Sequence, residues 1–237
     1  MARLNRLVVA GLAHHVALQA VFGADAFAGR DDAPLFLKAL RRSSVEHRVA
    51  IHAYVLLKNE VQLLATPTAG ENIGFMMQAL ARFYVGAFNR RHGRSGALWQ
   101  SRFRAAPVGG ARELLCCMRF IEQAPARSGW PDPVTAFPWS SAAPHAGIRT
   151  DLPLADLPLA DVPPGSAYWQ LGNTPFEREA AYRDLLGEPL GPTDIDRVEA
   201  TTLKGWAMGS GEFIASLAAH TPRRIQAQPR GRPRAQV

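Results

Sequence analysis

The chain has 237 residues, of which 47% are hydrophobic and 20% charged, and a formal net charge of +7. That length suits one sizeable core with at most a small appendage, and the apolar content excludes a wholly disordered chain. No stretch approaches the roughly 20 apolar residues of a bilayer span.

Cys116 and Cys117 are adjacent and are the only cysteines, which excludes a disulfide scaffold and fits a reducing, cytoplasmic setting. The positive charge is carried by arginine, with Lys38, Lys58 and Lys204 the only lysines. Such a balance favours a polyanionic partner, nucleic acid first. The opening "MARLNRLVVAGLAHHVALQAVF" is interrupted by His14, His15 and Gln19. Its alternation suits a strand better than a secretory signal.

From the N-terminus, Arg6 to Phe22 reads as a buried strand. Asp31 to Arg48 reads as a helix, with Asp31 and Asp32 as candidate caps and Pro34 in the first turn. "VAIHAYVLLKN" and "EVQLLATP" read as a hairpin. Gly70 to Gly93 has Met76, Met77, Leu80, Phe83, Tyr84, Ala87 and Phe88 at helical spacing, and Gly93 closes it. Ala97 to Val108 reads as a strand or hairpin arm, and Ala111 to Gln123 as a helix. This order predicts an α+β fold, a ferredoxin-like antiparallel sheet with helices on one face.

"DLPLADLPLADVPPG" (Asp151 to Gly165) lacks the backbone donors of a helix or central strand and reads as an extended linker. Thr174-Pro175-Phe176-Glu177 carries a capping-box pattern. It opens three short helices near 175–186, 193–205 and 210–219, a small module packed on the main domain. The predicted divisions are a domain over 1–148, a linker over 149–170, the module over 171–221 and a basic tail over 222–237.

Between Asn72 and Arg112 there are seven arginines (Arg82, Arg90, Arg91, Arg94, Arg102, Arg104 and Arg112) and no Asp, Glu or Lys. Tyr84, Trp99 and Phe103 are interleaved. Guanidinium forks bind phosphates and aromatic rings stack on bases, while a solvated basic surface with Trp99 in the core is the plainer alternative. The tail holds Arg230, Arg232 and Arg234 in "RGRPR", which looks like the core of an AT-hook that enters a narrow minor groove. A merely basic tail is its alternative. Metal chemistry is poorly supported by pattern: His14 and His15 face opposite sides of a strand, and no Cys-x-x-Cys or His-x-His occurs.

Taken together, "HHVALQAVF", "IHAYVLLKNEVQLLATP", "MMQALARFYVGAFNRRHGRSGALWQSRFRAAPV", "LLCCMRFIEQAPARSGW" and "FPWSS" resemble, in order and spacing, the REP-associated tyrosine transposases. These are bacterial insertion-sequence transposases of the HUH single-tyrosine type. The resemblance spans about Arg6 to Ser141. It implies a ferredoxin-like fold, binding of single-stranded DNA hairpins, and nicking and joining of one strand through a 5′-phosphotyrosine. A divalent metal held by a His-hydrophobic-His strand and a polar residue of the tyrosine helix would polarise the phosphate.

The family's functional positions are altered in this chain. Its histidine triplet falls on Glu60-Val61-Gln62, its nucleophile on Phe120, its Asn ligand on Ala124, and the Arg-Gly after its first strand on Gln19-Ala20. Phe120 has no oxygen with which to form the ester. The reading is a transposase-scaffold protein that recognises single-stranded hairpin or repeat DNA without cleaving it. It has no intact catalytic residue, no metal cofactor and no membrane partner, and a homodimer stays open. The alternative is an active enzyme of DNA transposition with altered ligands, in which Glu60 and Glu122 hold Mg²⁺ or Mn²⁺ and Tyr84 replaces the nucleophile. Tyr84 and Tyr54 also read as structural.

Overall fold

The structure is a computed structural model that describes residues 6–148, 159–219, 221 and 223–226. Arg230, Arg232 and Arg234 lie outside the described residues, as does most of the Asp151–Gly165 segment.

Four strands, β1 (Ala13–Gln19), β2 (Val49–Leu57), β3 (Glu60–Pro67) and β4 (Arg104–Val108), form one antiparallel sheet in the order β2-β3-β1-β4. Lys58 and Asn59 make the short β2–β3 connection, which pairs Leu57 with Glu60. The helices α1 (Asp32–Glu46) and α2 (Asn72–Arg91) each connect two strands separated by one other. This is the split β-α-β arrangement of ferredoxin-like folds.

The two central strands are buried on both faces over most of their length, since both faces of the sheet are covered. Val16, Leu18, Ile51, Leu56, Leu63 and Ala65 pack against Phe36, Leu40, Met76, Leu80 and Tyr84 of α1 and α2. Ala53, Val55, Leu57 and Leu64 pack against a second layer. That layer is built from α3 (Ala111–Glu122), followed by the short α4 (Ala124–Arg127) and α5 (Ala142–His145), and from the helices α6 (Pro175–Gly187) and α7 (Pro192–Lys204). The expected single helical face therefore holds for α1 and α2, while α3 and the C-terminal helices cover the other side. A further helix, α8 (Gly211–Ala219), packs beside β4 through Phe213, whose ring lies against Gly109. No helix among the described residues is long and apolar enough to cross a membrane.

Two expected strands are shorter than their sequence pattern. The first begins only at Ala13, because Gly11 takes φ +74° in a turn pinned by its N–H to Pro67 O at 2.8 Å. In the 97–108 segment only Arg104–Val108 joins the sheet. Leu98 and Trp99 instead turn into the core beneath α1 and α2, leaving a single bridge from Trp99 to Ala20.

The helix ends carry the local signals. Thr174 and Glu177 form the reciprocal capping box at α6. Gly93 at φ +59° follows α2, and Arg94 N–H returns to Asn89 O at 2.9 Å. Asp31 does not cap α1 with its side chain. Asp32 is fully buried instead and accepts from Gly29 N–H at 2.7 Å, Arg91 at 2.8 Å and His92 at 2.8 Å. Burial opposes its ionisation, but the bonds from Gly29, Arg91 and His92 outweigh that and hold the carboxyl below its ordinary range.

The far end of α3 ties the C-terminal helices down. Gln123 donates to Leu186 O at 3.0 Å and Glu188 O at 2.6 Å and accepts from Leu190 N–H at 3.2 Å. Glu122 is fully buried and accepts from Tyr182 Oη–H at 2.7 Å, from His145 at 2.6 Å and from the Ser141 hydroxyl. Beyond the segment outside the described residues, Ala160 N–H bonds Ile51 O at 2.8 Å and His52 donates to Asp161 O at 2.6 Å. This stretch therefore lies along the free edge of β2 and shields it.

Asp32 joins the start of α1 to the end of α2, so Asp32→Asn should weaken its bonds to Arg91 and His92. The expected loss is about 2 kcal/mol of unfolding free energy, read from urea midpoints at neutral pH.

Candidate nucleic-acid interface

At the end of the sheet where β1 and β2 finish and β3 and β4 begin, a cavity of about 560 Å³ opens. Strand alternation puts Gln19, Glu60 and Gln62 on its wall. From α3 and α4 come Phe120, Ala124 and Arg127, and α7 closes the side with Glu199, Thr202 and Leu203. Arg102 and Arg104 stand at the mouth. The positions singled out by family resemblance, scattered from Gln19 to Ala124, thus meet in one place.

A chain of polar groups crosses the inner wall. His15 is buried, and burial, opposed by its contact with Gln62 and aided by the nearby Arg127 charge, lowers its pKa from 6.5 to about 4. The neutral ring accepts from Thr202 Oγ1–H at Nδ1 over 2.7 Å and donates from Nε2 to Gln62 Oε1 at 3.3 Å. Gln62 Nε2 in turn donates to Glu60 Oε1 at 3.0 Å. Burial raises the Glu60 pKa, against the bond from Gln62 and the charge of Arg127. The acid and the amide are thus the visible end of a relay that starts on α7.

Phe120 is 3% exposed and meets His15 edge-on at 5.6 Å between ring centroids. Its other side carries Arg127, whose guanidinium carbon sits 4.1 Å from the ring centroid and whose Nη2 donates to Phe120 O at 2.5 Å. Arg127 is exposed, as are Arg102 and Arg104. Among the described residues none of these three pairs with a carboxylate within salt-bridge distance. Three guanidinium forks around one hollow can hold phosphate oxygens.

The other sequence candidates are dispersed. Arg82 and Arg90 are exposed on α2, which packs on the opposite face of the sheet, and Arg94 follows that helix. Arg91 is committed to Asp32 and Arg112 to Asp194 at 3.0 Å. Trp99 does not present its ring to solvent as a stacking residue should. It is 9% exposed and packs against Phe36 and Tyr84, because its segment folds under α1 and α2. Tyr84 is buried, donates to Ala26 O at 2.5 Å and has its pKa pushed up by burial. Tyr54 is buried as well, and Glu122 points away from the cavity into its own bonded cluster.

Sequence reading missed Arg127, Glu199 and Thr202. Arg127 stands alone in "APARSG", and its only signal was its place just after the Phe120 helix. Glu199 and Thr202 come from a helix with no local mark of a site.

His14 is also buried, and burial lowers its pKa to about 4 against the bond it donates to Leu12 O. Both rings are neutral when folded and bind protons more readily when unfolded. Their contribution to stability is therefore complete above about pH 6.5 and is lost as pH falls toward 4. Urea midpoints should fall steeply across that window. The His15→Gln variant should show a shallower slope there.

The sequence matches no protein-family model and no curated protein. Among solved structures, the chain resembles a REP-associated tyrosine transposase bound to a REP hairpin, with 15% sequence identity and a TM-score of 0.54. The match covers 68% of this chain and 93% of that one, so the two share the fold.

Proposed function

We propose that this protein is a distant relative of the REP-associated tyrosine transposases that binds single-stranded hairpin DNA and does not cut it. The observation that carries the reading is Phe120, which borders the arginine-rimmed cavity and occupies the position that the sequence resemblance assigns to the nucleophile. A phenyl ring offers no oxygen for attack on phosphorus, and no change of rotamer or pKa supplies one. The fold shared with a transposase held on a hairpin supports DNA as the partner.

The donors at the family's ligand positions do not fit its metal. Ala124 offers no ligand atom. Gln62 spends its oxygen on His15 and its amide N–H on Glu60, and the buried His15 ring is engaged at both nitrogens. A lone carboxylate at Glu60 is a poor replacement for two imidazoles and an amide. The contacts of Glu122 and Tyr84 likewise give no support to an enzyme with substituted ligands.

In the proposed complex Arg102, Arg104 and Arg127 take phosphates of the single strand at the foot of the hairpin. Their positive field steers the strand to the cavity. Glu199 and Glu60 keep the site from being uniformly basic, so the strand is held at the guanidinium side. The tail arginines Arg230, Arg232 and Arg234 add contacts to the duplex stem in this reading.

Fluorescence anisotropy with labelled hairpin oligonucleotides should show affinity falling linearly with log salt between 50 and 200 mM, at roughly −0.7 per single-strand phosphate contacted. Arg127→Gln should weaken binding about ten-fold and reduce the slope by roughly one contact. Incubation with Mg²⁺ or Mn²⁺ should leave the DNA intact. A covalent protein–DNA adduct that disappears in Tyr84→Phe would overturn the non-cutting reading.

A further inference from the structure

We infer that Phe22 is a stacking platform for one unpaired nucleobase of the bound strand, an assignment that rests on the single-strand binding proposed above. Phe22 is fully exposed, more so than any other large hydrophobic residue described. The turn that presents it is pinned. Val21 N–H bonds Leu98 O at 2.9 Å, Ala24 N–H bonds Val21 O at 2.9 Å, and Ala26 N–H bonds Lys58 O at 2.7 Å. Gly23 makes the tip at φ +75°, a conformation that disfavours other residues. The ring is therefore held out in water by a well-bonded loop.

Charge beside the ring indicates what covers it. Phe22 borders a hollow of about 310 Å³ that also contains Arg94, Asp25 and His92. Asp25 pairs with Lys58 at 3.1 Å and His92 with Asp32 at 2.8 Å. Arg94 lies 5.7 Å from the Phe88 ring centroid and, among the described residues, pairs with no carboxylate. An aromatic platform next to an uncommitted guanidinium is the pairing that single-strand binders use, with the base on the ring and its phosphate on the cation. Of the apolar neighbours in this hollow, Ala24 and Ala28 are small, Val21 is half-buried and Phe88 is buried, so the ring does not belong to a broad exposed apolar patch of the kind that marks a protein interface.

Position connects this platform to the arginine cavity. Gln19 lines the cavity, and Phe22 follows it by three residues, at most about 10 Å along an extended chain. Gln100 N–H bonds Gln19 O at 2.9 Å, which ties the segment leading to Arg102 and Arg104 to the same strip. A strand with a phosphate among those arginines can thus set a neighbouring base on Phe22.

The experiment compares wild type with Phe22→Ala and Phe22→Trp on a hairpin carrying a single-stranded foot, and on the same hairpin with abasic sites placed singly along that foot. Phe22→Ala should leave the thermal midpoint unchanged and weaken binding roughly ten-fold. One abasic position should weaken wild type by a similar factor yet leave Phe22→Ala unaffected. The intact foot should quench the tryptophan fluorescence of Phe22→Trp more than that of wild type, whose five tryptophans set the background. Equal affinity of wild type and Phe22→Ala, with binding still salt-dependent, overturns the platform and spares the DNA-binding reading. Absence of any hairpin binding by wild type overturns both. A wild-type dimer that Phe22→Ala converts to monomer, seen by light scattering with unchanged DNA affinity, assigns the ring to self-association and also overturns the platform.

Discussion

A strand covered on both faces keeps most of its side chains from water, and β1 and β3 are such strands except where they border the cavity. Every polar group they carry must find a partner within the protein or destabilise it. His15 and Gln62 satisfy that demand through one another, with Thr202 at one end and Glu60 at the other. The same constraint keeps His15 neutral. The character of the cavity wall therefore follows from how completely the sheet is sandwiched.

The second layer makes this sandwich, and it depends on the chain after residue 159. The helices α6 and α7 contribute Tyr182, Leu186 and Val198 to the core that also contains Phe120 and Ile121. Glu122 and Gln123 anchor them through buried hydrogen bonds. Thr202 then reaches from α7 to His15. The C-terminal helices are thus a wall of the cavity as well as a support for α3, which couples the shape of the candidate interface to the integrity of the module.

Charge is distributed to match. Arginines near carboxylates are spent on structure, as Arg91 is on Asp32, Arg112 on Asp194 and Arg197 on Glu113. Among the described residues, Arg94, Arg102, Arg104 and Arg127 form no such ion pair, although Arg127 is tied to the Phe120 carbonyl. A sequence rich in arginine does not separate these two uses, because what distinguishes them is the position of the acids in space.

Local patterns by themselves determined much of the fold. Alternation and the short Lys58-Asn59 connection gave the hairpin its place, helical periodicity located α1 to α3, and the Thr174–Glu177 capping box set the start of α6. The resemblance also singled out Glu60, Gln62, Phe120 and Ala124 from the sequence, and the structure brings these four to one cavity. Tertiary structure decided the rest. It drew Trp99 into the core, assigned Arg91 and Arg112 to ion pairs, buried Glu122 in a bonded cluster, and brought Arg127, Glu199 and Thr202 to the cavity. Helix and strand signals act over a few residues, whereas burial and charge pairing are settled by which elements pack together across tens or hundreds of residues.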